Sequence, residues 1–144
     1  MRKRVDQVDK ITWYSDKSTP SYNNVNATYL YLGDDASGPG MRFKIQYAAH
    51  NWLFIQSAII VIDGEKRGSL GGEWKRDHDT RIWEWIDVPV SRDNIKLVRD
   101  MANAKKVLIR FEGRQYQKDR EVSATELKAM RNILEAYKEL GGTL

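Results

Sequence analysis

The tripeptide Asp77-His78-Asp79 has the residue types best suited to catalysis, because a histidine lies there between two carboxylates. A carboxylate beside an imidazole can orient it as a general base, and both groups are metal ligands. Three consecutive residues of an extended chain cannot all point at one position, however, and the only other histidine, His50, is far away in sequence. The pattern favours a polar loop, and a hydrolase built on this loop is the third of three functions that we consider.

Other catalytic and metal-binding patterns are missing from the sequence. The chain has no cysteine, which excludes disulfides, thiolate metal sites and a cysteine nucleophile, and its two histidines leave little for a zinc site or a serine–histidine triad. Asp34, Asp35 and Ser37 lack the spacing of a calcium loop, and the glycines in 38–40 and 68–72 lack the phosphate-loop pattern. We therefore predict no catalytic residue, no metal and no cofactor, and a protein that is not an enzyme.

Tryptophan and arginine side chains offer binding chemistry instead. Indoles stack on bases and similar flat groups, and guanidinium groups hold anions through forked hydrogen bonds. Trp74 is flanked by Glu73 and Lys75, so we predict that it is the most exposed of the five tryptophans. The residues predicted to bind a ligand or partner are Trp74, Arg76, Arg81, Arg110, Arg114 and Tyr116. Nearby acidic residues favour the alternative of a solvated surface with cross-strand ion pairs.

These side chains must be positioned mainly by strands, because the first two thirds of the chain alternates apolar and polar residues. The alternation is clearest in Met41–Tyr47. The long apolar run Trp52–Ile62 predicts a central strand, with or without a bulge, in which Trp52 packs in the core together with Trp83 or Trp85. Asp63-Gly64 predicts a two-residue type I′ hairpin. Further strands are predicted at 11–14, 27–32, 65–70, 82–88 and 107–112, with a short partner strand around 115–117 and a charged connection at 74–80.

Helical periodicity is confined to the last third of the chain. Ser91 is predicted to cap a helix over 92–103, and Ser123-Ala124-Thr125-Glu126 has the spacing of a capping box for a second helix that Gly141-Gly142 ends. Strands followed by helices predict an α+β domain, in which an antiparallel, sandwich-like sheet is covered by one or two helices.

Length and composition indicate one domain over 1–144. The chain has 144 residues, 41% of them hydrophobic, and the 24 Lys+Arg against 20 Asp+Glu give a net charge of only +4, with no basic stripe of the kind that binds nucleic acid. The sequence contains no apolar run long enough to predict a membrane span. No apolar segment follows Met1-Arg2-Lys3-Arg4, so we predict a cytoplasmic protein; if a leader was removed from a longer precursor, we expect an extracytoplasmic one. The sequence leaves open whether copies of the chain pair through a sheet edge to form a homo-oligomer.

A string of aromatic motifs covers nearly the whole chain. They are Thr12-Trp13-Tyr14, Tyr29-Leu30-Tyr31-Leu32-Gly33, Trp52-Leu53-Phe54-Ile55, Asp63-Gly64, Ile82-Trp83-Glu84-Trp85, Ile109-Arg110-Phe111-Glu112-Gly113 and the closing Leu134–Gly142. In this order they resemble an uncharacterised family of small bacterial and phage-borne domains. The resemblance implies a β-rich domain with a C-terminal helix, often behind a secretion or lipoprotein signal, which this sequence lacks. It implies no catalytic residues.

Three functions follow, in order of preference. The first is a non-catalytic module of bacterial or phage origin that contacts a protein partner through exposed aromatic and arginine residues. The second is sequestration of a small anionic, nucleotide-like ligand, which would suit a phage protein that counters host defence. The third is the hydrolase considered above.

Overall fold

Ten strands and two helices make up the computed structural model, which describes residues 1–144. The strands are β1 (Arg2–Asp6), β2 (Ile11–Ser15), β3 (Ala27–Asp35), β4 (Gly38–Ala49), β5 (Ser57–Ile62), β6 (Glu65–Gly71), β7 (Lys75–His78), β8 (Ile82–Pro89), β9 (Val107–Glu112) and β10 (Gln117–Glu121), and the helices are α1 (Ile95–Ala102) and α2 (Ala124–Glu139). Six strands form one antiparallel sheet, in the order β1-β2-β3-β4-β8-β7, and four form another, in the order β10-β9-β5-β6. The predicted α+β class, with a helix in the C-terminal third, is confirmed.

The core lies between the two sheets and under the helices. Each inner face buries every second residue, and across the gap the ring of Tyr47 on β4 lies 5.1 Å from that of Phe111 on β9. Helix α2 adds a buried stripe that includes Met130 and Ile133, while α1 buries Val98 and Met101. Neither helix is long and apolar enough to cross a membrane.

Two local signals in the sequence are confirmed atom by atom. The Ser123 side chain accepts the amide of Glu126 and the Glu126 carboxylate accepts the amide of Ser123, which is the predicted capping box of α2. Asp63 and Gly64 have φ angles of 48° and 85°, which is the left-handed backbone that a type I′ turn requires.

The predicted strand over Trp52–Ile62 is wrong in its first half. Only Ser57–Ile62 pairs as β5, and residues 51–56 form an irregular segment in which Phe54 has a φ of 55°. The cause is the buried Glu84 on β8, whose carboxylate accepts the backbone amides of this segment in place of a neighbouring strand. An apolar pattern cannot reveal a partner 30 residues away in sequence.

Other element boundaries also differ from the prediction. The charged connection at 74–80 contains strand β7, which pairs with β8 at the edge of the larger sheet, and the charged N-terminus forms edge strand β1 against β2. The partner of β9 lies at 117–121 rather than around 115–117. Ser91 caps a turn through the Asp93 amide, at 3.3 Å, and α1 begins three residues later than predicted.

Candidate functional site

The outer face of the six-stranded sheet carries a groove of about 550 Å³. Four aromatic side chains line it, Trp13, Tyr14, Tyr29 and Tyr31, together with three cations, Arg2, Arg4 and Lys44. Its eleven lining residues include no aspartate, glutamate or histidine. In a chain with 20 acidic residues, this local separation of charge makes the groove the strongest candidate for a binding site.

Strand register brings these residues together from distant parts of the sequence. Arg4 on β1 lies opposite Trp13 on β2, and Tyr29 on β3 lies opposite Lys44 on β4. Trp13 in turn lies opposite Gly33, and a Cβ added to that glycine would come within 2.8 Å of the indole. The glycine in β3 therefore allows the indole to lie flat on the sheet.

Three of the aromatic rings form a continuous row along the groove. The ring centroids of Trp13 and Tyr31 are 5.9 Å apart at an interplanar angle of 42°, and those of Tyr31 and Tyr29 are 6.1 Å apart at 49°. Tilted pairs at these distances are stabilised by their quadrupoles. The row supplies aromatic faces on which a flat ring of a ligand can stack.

Lys44 is a half-buried cation that forms no ion pair, although Asp87, which pairs with Arg42, lies opposite it on β8. Its ammonium group donates to the side-chain oxygen of Asn23 and lies 5.9 Å from the centroid of the Tyr29 ring. Burial lowers the pKa of Lys44 from its usual range. An anion placed beside this ammonium group would offset the cost of its desolvation.

The two tyrosines act as neutral hydrogen-bond donors. Burial raises the pKa of Tyr29 to about 12, and its hydroxyl donates to Oε1 of the buried Gln46 at 2.9 Å. Burial and the carboxylate of Asp87 raise the pKa of Tyr31 as well. Asp87 accepts from Tyr31 and forms an ion pair with Arg42 at 2.7 Å, so an arginine balances its negative charge at the groove's border.

The loop between β2 and β3 forms one wall of the groove and is held from two sides. Arg2 donates to the carbonyl oxygens of Lys17 and Thr19, at 3.1 and 2.9 Å. Gln46 donates to the carbonyl oxygens of Tyr22 and Val25, at 3.0 and 3.1 Å. These hydrogen bonds fix the loop in the folded chain, so the wall is already formed before a ligand binds.

The tryptophans differ from the predicted pattern of exposure at Trp74 and in the pair Trp83 and Trp85, but not at Trp52. Trp74 is only 6% exposed, with its indole N–H 3.3 Å from the carbonyl oxygen of Leu70, so the prediction that it is the exposed tryptophan is wrong. The neighbours Glu73 and Lys75 are exposed as their charge suggests, but the indole itself turns into the core, where it meets the ring of Phe111. Trp52 is half-buried and packs against the core, whereas Trp83 and Trp85 are half-buried on the outer face of the sheet.

The predicted arginines do not converge on one pocket. Arg76 forms an ion pair with the buried Glu84 at 2.9 Å, and Arg110 binds both carboxylate oxygens of Asp119, at 2.7 and 2.8 Å. Arg81 is exposed beyond the end of β7. Arg114 lies over the ring of Phe54, in the same turn as the exposed Tyr116.

The Asp77-His78-Asp79 segment is exposed on edge strand β7 and the turn after it. The Asp77 carboxylate accepts the backbone amide of His78, while the imidazole ring lies nearly perpendicular to the Trp52 ring, with centroids 6.0 Å apart. No group of three histidine or acidic side chains in the chain is arranged to hold a metal ion. This geometry gives the hydrolase hypothesis no support.

Comparison of the chain with family models, with curated proteins and with solved structures finds no match. The resemblance to bacterial and phage-borne domains therefore stays a prediction.

Proposed function

We propose that this protein binds a small anionic ligand that also carries a flat aromatic ring, such as a nucleotide, in the groove on its larger sheet. The observation that supports this proposal is the combination of three cations, four aromatic rings and no carboxylate among the lining residues. It favours the second of the three functions inferred from the sequence and uses different residues from those predicted.

Each part of such a ligand has a matching surface. Arginine and lysine bind phosphate oxygens through charge-assisted hydrogen bonds, and bases stack on aromatic side chains regardless of their identity. The groove's volume of about 550 Å³ is within the range of ligand sites. A phosphate near Arg4 and Lys44 and a base stacked over Trp13 would use both the cations and the aromatic rings of the lining.

Binding without turnover suits the chemistry of the lining. General acid–base catalysis needs a group that can exchange a proton near neutral pH, and the lining has no histidine or carboxylate. Its best-placed hydroxyls belong to tyrosines whose raised pKa values keep them protonated. We therefore propose sequestration, or carriage of the ligand, rather than catalysis.

A thermal-shift panel tests the proposal directly. We expect 1 mM nucleoside mono- and triphosphates to raise the melting temperature, because a ligand at about 100 times its Kd stabilises the folded state by about 2.7 kcal/mol. Uncharged nucleosides and inorganic phosphate should each give a smaller shift, since each uses half of the groove. If no nucleotide shifts the melting temperature at 1 mM, the proposal is wrong.

Affinity for the anion should also fall at alkaline pH. Because burial lowers the pKa of Lys44, this ammonium group loses its proton, and its attraction for phosphate, at a lower pH than an exposed lysine does. The ligand's own charge is constant there, since its second phosphate pKa is about 6. Calorimetric titrations with AMP from pH 7 to 10 measure the decline.

The control for this pH profile is Lys44→Arg, whose side chain stays charged throughout this range. Its affinity should be nearly constant where that of the wild type declines. The free protein should show the opposite trend: the unfolded chain holds the Lys44 proton more tightly, so this group's contribution to stability rises with pH. Parallel profiles in the two proteins would exclude Lys44 from the site.

A further inference from the structure

A second surface, outside the groove, surrounds Phe54. This residue lies in the irregular segment before β5, is 37% exposed and has a φ of 55°. A bulky aromatic residue rarely adopts this backbone conformation. Strained residues of this kind persist where the surrounding structure holds them, and they concentrate at functional sites.

The strained backbone is held by a carboxylate beneath it. Glu84 accepts the amides of Leu53, Phe54 and Ile55, at 2.9, 3.1 and 2.7 Å. Arg76 pairs with Glu84 and also donates to the carbonyl oxygen of Ile55 at 2.7 Å. Three consecutive amides and one carbonyl are therefore held in place, which fixes the backbone that presents Phe54 at the surface.

The side chains around Phe54 form a surface with the composition of an interface hot spot. Trp52 stacks on Phe54 with ring centroids 5.7 Å apart and planes at 19°, and the Arg114 guanidinium lies 4.8 Å from the Phe54 centroid. Tyr116, in the same turn as Arg114, is 70% exposed. We call these four residues the Phe54 surface. Aromatic and arginine side chains carry most binding energy at protein interfaces.

We propose that the Phe54 surface docks a protein segment that carries carboxylates beside an apolar side chain. Arg114 belongs to no ion pair within the chain, so its charge is available to a partner's carboxylate. Phe54 and Trp52 offer a flat apolar contact beside that charge. This site is independent of the groove and is the place where the first function inferred from the sequence, contact with a protein partner, has its best support.

Selection from a displayed library of random 12-residue peptides tests this inference. We expect the wild-type protein to enrich peptides that combine Asp or Glu with a leucine or aromatic residue. Phe54→Gly suits the positive φ while removing the ring, so it should fold and bind such peptides at least 10-fold more weakly. Arg114→Gln, an exposed change that leaves the fold intact, should give a similar loss, and Arg92→Gln, equally exposed but remote, should not.

The affinities should be measured by fluorescence anisotropy at two salt concentrations, because pairing of Arg114 with a carboxylate weakens as salt is added. Failure to enrich any peptide, enrichment of basic sequences, or equal binding by wild type and Arg114→Gln would each overturn the proposal. So would self-association of the wild-type chain that Phe54→Gly abolishes, because the occupant would then be a second copy.

Discussion

Glu84→Gln should lower the melting temperature by about 10–20 °C. The Glu84 side chain is fully buried, and its two carboxylate oxygens accept three backbone amides and the Arg76 guanidinium. Glutamine keeps one acceptor oxygen and turns N–H groups toward donors. Losing the two hydrogen bonds that the replaced carboxylate oxygen accepts costs about 3–5 kcal/mol, and for a chain of this length 1 kcal/mol corresponds to roughly 3–4 °C. Differential scanning calorimetry measures the shift.

Arg76→Gln is the informative comparison. It leaves all three amides bonded to Glu84, and Arg76 itself is one-third exposed, so we expect a loss of about 1–2 kcal/mol. Glu135→Gln, exposed on α2 with no partner, should change stability by less than about 0.5 kcal/mol. If Arg76→Gln destabilises as much as Glu84→Gln, the ion pair rather than the amide contacts holds residues 53–55.

Glu84 also marks the limit of what the sequence could predict about the fold. The capping box of α2 and the Asp63-Gly64 turn depend on neighbours within a few residues, and both were predicted correctly. The conformation of residues 51–56 depends on a carboxylate about 30 residues away, whose position is set by pairing between β4 and β8. A glutamate between Trp83 and Trp85 looks like the solvent-facing member of an alternating strand, but it is the member that points inward.

Only part of the groove could be predicted from the sequence, for the same reason. Alternation places Tyr29 and Tyr31 on one face of β3, and Lys44 on one face of β4, which the sequence shows. What it does not show is that β1 adds to the sheet edge, which brings Arg4 beside Trp13. A charged N-terminal segment gives no strand signal, so the prediction placed the basic–aromatic site around Trp74 and Arg76, where a core contact and an ion pair occupy both side chains.

The double variant Arg4→Gln/Lys44→Met should weaken nucleotide binding by about 100-fold or more. A hydrogen bond to a charged group contributes about 1.5–3 kcal/mol, and each 1.4 kcal/mol is a factor of ten in Kd. Two such contacts therefore account for at least two orders of magnitude. Isothermal titration calorimetry with AMP measures the change, and each single variant should lose about 10-fold.

The matched control is Arg92→Gln/Lys128→Met, which removes the same two charges from exposed positions outside the groove. Equal losses in both double variants would mean that net charge, rather than contact in the groove, attracts the ligand.

The stability of the free protein provides a second comparison. Methionine at position 44 removes the desolvation of a half-buried ammonium group, so the free Lys44→Met protein should be at least as stable as the wild type. A residue that raises affinity for an anion while lowering the stability of the free protein is what a binding site, as opposed to a structural surface, requires.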